Sequence, residues 1–98
     1  MNSDKLTIVA KIWAKEGKSE LVKEQLLNLI ATTKIEEGCI DYDLHQDNED
    51  EHVFLFFENW TTRELWQKHL DNDHIAAFKE ATEDAIEKTE MNEMQQIG

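Results

Sequence analysis

The chain has 98 residues, 40 % of them hydrophobic and 33 % charged, the balance of a single globular domain with a modest core. Its formal net charge of -12 at pH 7 excludes the usual partners of basic proteins, because nucleic acid and anionic membrane surfaces would repel it. One cysteine rules out an internal disulfide and a zinc site built on several thiolates.

No segment approaches the roughly 20 apolar residues of a membrane span. The first apolar run is short and broken by lysines, unlike a signal peptide. The expectation is a cytoplasmic protein, and with no proline and no linker-like stretch, one domain over residues 1–98.

LTIVAKIWAK, Leu6 to Lys15, alternates: Leu6, Ile8, Ala10, Ile12 and Ala14 point one way, Thr7, Val9, Lys11, Trp13 and Lys15 the other. This predicts a strand with one buried face and a second face that is only partly polar. Gly17 ends it, and Ser19 with Glu20 opens a helix. Leu21, Val22, Leu26, Leu29, Ile30 and Thr33 carry that helix for about four to five turns, to a stop near Gly38. A strand from Cys39 to Gln46 follows, then the charged hairpin loop QDNEDEH.

HVFLFFENW, His52 to Trp60, is the most apolar strand. Val53, Leu55 and Phe57 share one face; Phe54, Phe56 and Trp60 share the other. Helices on one side of a sheet can cover only one of these faces, so a partner subunit is expected on the second.

TTRE reads as a capping box with Thr61 as N-cap and Glu64 three residues on. Leu65, Trp66, His69 and Leu70 form one stripe of the helix it opens. Asp71, Asn72 and Asp73 interrupt and cap a second segment, in which Ile75, Phe78, Thr82, Ala85 and Ile86 keep the helical period. The tail EMNEMQQIG is assigned as a strand despite poor propensity. The order β-α-β-β-α-β predicts an α+β, ferredoxin-like antiparallel sheet with helices on one face.

Several residues fall in a suggestive order: Gly17 before the first helix, Glu37-Gly38-Cys39 followed by Tyr42, Glu58-x-Trp60, then His69, His74 and Phe78. With them the chain resembles the antibiotic biosynthesis monooxygenase (ABM) domain family from Leu6 to Ile86, especially its small bacterial quinol monooxygenase-like members. It departs from the family where many relatives carry a proline beside the glycine, here Glu36-Glu37-Gly38, and where relatives have Ser/Thr-Pro, here Asn72-Asp73. The resemblance implies a dimeric α/β-barrel, a homodimer packed sheet against sheet. It also implies a pocket in each subunit, between sheet and helices, for a planar aromatic compound.

On that basis the chain is read as a cofactor-independent monooxygenase that oxidises a quinol or another electron-rich phenol with dioxygen. His69 is the candidate base, because a neutral imidazole in a partly desolvated pocket can accept a phenolic proton near working pH. Glu58 is the candidate orienter or second acceptor, its carboxyl raised by burial. Tyr42, Trp66 and Phe56 are the candidate substrate-binding aromatics. Each has a plain structural reading beside it: His69 as a satisfied core or interface residue, Glu58 as a structural hydrogen bond or an ion pair such as one with Arg63, the aromatics as core.

Cys39 is read as a small packing residue, since reactive thiols need an electropositive setting and its neighbours are acidic. His45 is placed on the same strand face as Cys39, Asp41 and Asp43, exposed. No metal is expected, because His69 and His74 are five apart and separated by a cap, and Asp47 to Glu51 lacks the glycine of a calcium loop. No glycine-rich cradle supports flavin or nicotinamide.

Three other functions compete. Related haem-degrading dimers use an Asn-Trp-His set, but the corresponding positions here are Ala10, His69 and Lys79. Isomerisation of a small signalling sugar phosphate is disfavoured by the chain's acidity. A small-molecule-binding or stress-response dimer without catalysis would leave His69 dispensable for binding.

Overall fold

The computed structural model describes residues 5–98. Alternation makes β1, Leu6–Ala14, a central strand: Ile8, Ala10, Ile12 and Ala14 are buried under helices, and the strand pairs antiparallel on both edges. One neighbour is β3, Val53–Trp60, and the other is β4, Ile86–Met94. Outside β3 lies β2, Cys39–Gln46, so the sheet order is β2-β3-β1-β4, all antiparallel. The fold is the expected ferredoxin-like α+β arrangement.

The first expected helix is two segments, and the second is interrupted where expected. The first comprises α1, Ser19–Asn28, and α2, Ile30–Lys34, joined at Leu29, which keeps helical dihedrals (φ -76°, ψ -22°). The second comprises α3, Arg63–Leu70, and α4, Asp73–Ala81, separated by an extended Asn72 (φ -73°, ψ 154°). Among the described residues no helix is long and apolar enough to cross a membrane.

Four expectations need correcting. The N-cap of α3 is Thr62, whose hydroxyl accepts from Leu65 N–H at 3.2 Å; Thr61 instead donates its N–H to the Gly38 carbonyl at 2.8 Å. Thr82, Ala85 and Ile86 are not helical: α4 ends at Ala81, Thr82 caps it, Ala85 lies in a turn and Ile86 opens β4 opposite Ala14. The third concerns β4, which begins four residues earlier than the tail stretch and owes its conformation to its ladder with β1 rather than to its own propensity. The fourth is Cys39, which does not share a face with Asp41 and His45. A register shift sets Cys39 opposite Trp60, against the core, while Asp41 lies opposite Asn59 on the outer face.

β3 shows its two faces clearly. Phe54, Phe56 and Trp60 are buried beneath the helices, whereas Val53 and Leu55 are half-buried and Phe57 is 41 % exposed. Val9 and Trp13 extend this uncovered apolar strip across β1. Lys11 and Lys88 lay their ammonium groups over the Trp13 ring, at 5.0 and 4.5 Å.

Candidate active site

Between the sheet and the helices lies a cavity of about 490 Å³, within the usual range for small-molecule pockets. The structure brings Tyr42, Phe56, Glu58, Trp66 and His69 together on its wall. Tyr42 and Phe56 come from neighbouring strands and stack on each other at 4.3 Å between centroids. Trp66 and His69 come from the buried stripe of α3. Phe78 of α4 and Met91 of β4 complete an apolar lining, with Lys79 and Glu83 also on the wall.

His69 is 3 % exposed and clasped by rings, Trp60 at 4.8 Å and the edge of Tyr42 at 5.6 Å. Its Nδ1 lies 2.6 Å from Glu36 Oε1. An ionised carboxylate can only accept, so Nδ1 carries the proton and Nε2, across the ring, is left as the acceptor. Glu36 is itself held by Asn72, whose Nδ2 donates to Oε2 at 2.5 Å. This is why the Asn72 side chain makes no cap for α4. His74, in the first turn of α4, joins the group: Nε2 is 3.0 Å from Thr33 Oγ1 and 3.6 Å from Glu36 Oε1.

The orienter of His69 is therefore Glu36, not Glu58. Glu58 accepts a hydrogen bond from Trp60 Nε1 at 3.0 Å, and Arg63, its expected ion partner, pairs with Glu93 at 2.6 Å. The residue beside Gly38, where relatives were expected to carry proline, is Glu37, so nothing in the sequence singled out Glu36. The contact itself spans 33 residues of chain and leaves no local pattern.

Burial sets the protonation of the group. It holds His69 below the usual imidazole value, against the opposing pull of Glu36, so the ring is neutral near pH 7. Burial also pushes Glu58 up to about 7, with the Trp60 hydrogen bond opposing and the Glu36 charge adding to the rise. Tyr42 is raised well above the ordinary phenol range, by burial first and the Glu58 charge second, so it stays a hydroxyl. Cys39 rises to about 11, by burial and then the charges of Glu58, Glu36 and Asp41, and its thiol remains protonated. Of these groups, neutral His69 and the ionised half of Glu58 can each take a proton, while Tyr42 and the protonated half of Glu58 can donate hydrogen bonds.

Comparison with known proteins adds a family. A sequence model described as antibiotic biosynthesis monooxygenase matches residues 5–81. Among solved structures, PA3566 from Pseudomonas aeruginosa superposes with a TM-score of 0.94 at 30 % identity, covering 100 % of this chain and 99 % of that one. SO0527 from Shewanella oneidensis gives 0.90 at 27 % identity over 97 % and 93 % of the two chains. Protein sll1783 from Synechocystis is 28 % identical over 85 residues, 87 % of this chain; the chain spans 58 % of that relative's length.

Proposed function

The chain belongs to the antibiotic biosynthesis monooxygenase family, and from that premise we propose that it oxidises an electron-rich phenol or quinol with dioxygen, without a cofactor. The observation that carries this reading is His69: a buried, neutral imidazole on the wall of an apolar cavity, its tautomer set by Glu36 at 2.6 Å.

The substrate hydroxyl gives its proton to His69 Nε2, and the O–H electron pair stays on the oxygen. The imidazolium that forms is met at Nδ1 by the Glu36 carboxylate, which lowers the cost of charging a buried ring. The phenolate then passes one electron to dioxygen, giving a phenoxyl radical and superoxide. Their recombination at a ring C–H carbon forms a C–O bond. Cleavage of the O–O bond with loss of water, His69 returning its proton, leaves a carbonyl. The balance is phenol plus dioxygen to quinone plus water. Protein groups supply the base, a dry cavity and positioning by Tyr42, Phe56 and Trp66.

We place this site in a homodimer packed sheet to sheet through Val9, Val53, Leu55 and Phe57, which single-chain packing leaves partly exposed. The enzymatic reading is tested by incubating wild type and His69→Ala with a panel of quinols and polycyclic phenols, aerobically and anaerobically. Oxygen-dependent turnover in the wild type, lost in the variant while binding persists, supports it. Binding with no turnover in either form would identify a sequestering protein instead.

A further inference from the structure

We propose that Glu36, His69 and His74 form a site for a borderline divalent cation of the zinc class, at the edge of the aromatic cavity. The three residues present donor atoms that all lie within 4.8 Å of one another. The five-residue spacing of the histidines would keep them apart on one continuous helix. Here His69 closes α3, His74 opens α4, and the chain bends at Asp71 and Asn72, which brings the two rings to 5.8 Å between centroids.

The donor chemistry selects the ion. Two imidazoles and one carboxylate suit zinc and its neighbours, whereas calcium and magnesium take oxygen sets. Zinc bonds of about 2.0–2.2 Å place tetrahedral donors roughly 3.3 Å apart. Two edges, 2.6 Å from Glu36 Oε1 to His69 Nδ1 and 3.6 Å to His74 Nε2, bracket that value, and the third, between the histidines, is at most 4.8 Å. Small side-chain rotations therefore suffice. Glu36 already has an outer partner in Asn72, which donates to Oε2, while His74 Nε2 would exchange its hydrogen bond with the fully buried Thr33 hydroxyl for the cation.

Coordination has a chemical consequence for His69. The Nδ1–H bond breaks, the Nδ1 lone pair binds the cation, and the proton re-enters the neutral ring at Nε2. The base that the oxygenase reading requires then disappears, so the cation acts as an off-switch. That clause rests on the proposed function; the binding itself does not.

The test uses the chelator-treated full chain, titrated calorimetrically with zinc alone in the absence of any aromatic substrate. One ion per chain is expected, with affinity reduced roughly 100-fold or more in His74→Ala and in Glu36→Gln, and unchanged in His52→Ala. Imidazole nitrogen NMR on the wild type needs no variant: zinc should move the His69 and His74 signals and spare His45 and His52. No binding, binding indifferent to His74, or signals moving only at His45 and His52 would overturn the proposal. Because neither readout involves turnover, a failed oxygenase assay leaves this result intact. If turnover exists, zinc should abolish it in the wild type at the occupancy seen by calorimetry.

Discussion

Glu36 ties three elements through one carboxylate, with His69 of α3 on one oxygen, Asn72 before α4 on the other, and His74 at 3.6 Å. Gln at this position keeps the size but puts an amide N–H₂ where one of the two donors must be accepted. We expect Glu36→Gln to lower kcat while leaving KM nearly unchanged, and His69→Ala to lower kcat by roughly 10²–10⁴-fold, the usual range for a general base. Steady-state kinetics on the best quinol would check both; a Gln variant with full kcat would remove Glu36 from the mechanism. Glu58 gives a separate, substrate-free prediction. Folded, it keeps its proton to about 7; unfolded, it loses it near 4.5. Between those values the native state binds more protons, so stability falls as pH rises through the window and levels off above it. The penalty reached is on the order of 3 kcal/mol. Glu58→Gln removes it and still accepts from Trp60. Urea melts from pH 4.5 to 8 should show the variant gaining on wild type as pH rises, and parallel curves would contradict the burial argument.

Helices and strands here are set by alternation and period, but their joints are set by single residues. Gly38 has φ +90°, and a Cβ there would sit 2.6 Å from Leu65 Cδ1 and 2.8 Å from Leu65 Cβ. Gly17 has φ +80° but open space around it. Gly38→Ala should therefore cost roughly 2–4 kcal/mol, strain plus overpacking, and Gly17→Ala only about 1 kcal/mol of strain. Equal losses in denaturant melts would show that the approach of α3 to the start of β2 is not tight. β1, β2 and β3 were legible because their side chains alternate against a helix-covered face. The extent of β4 was not, because Glu87 to Met94 become a strand only by pairing with β1. Thr61 and Thr62 were indistinguishable as caps, since the choice depends on where Gly38 accepts the Thr61 N–H. The aromatic lining of the cavity was readable from Tyr42, Phe56, Trp66 and His69; in the Glu36–His69–His74 half the break at Asp71 to Asp73 was readable too, but not the approach of Glu36 from 33 residues away.

At the scale of the whole molecule, the sheet has one face under helices and one bearing Val9, Val53, Leu55 and Phe57 in partial contact with solvent. Burying such side chains returns up to about 1.5–3 kcal/mol each. A charge of -12 on each chain opposes association, but exposed charges are screened within roughly 8 Å at physiological salt. Hydrophobic burial should win. Sedimentation equilibrium at micromolar protein should give twice the chain mass for wild type and the single-chain mass for Phe57→Glu, whose carboxylate would be buried in the interface opposite Val9 and Asp43, with no cation in either position. A monomeric wild type would leave the outer face without the partner assigned to it. The central claim, direct oxidation of a phenol by dioxygen through His69, is tested most directly by following oxygen uptake and quinone formation together. Wild type should consume one dioxygen per quinone formed, at a rate that His69→Ala returns to the uncatalysed background; quinone formed without oxygen, or equal rates in both proteins, would contradict it.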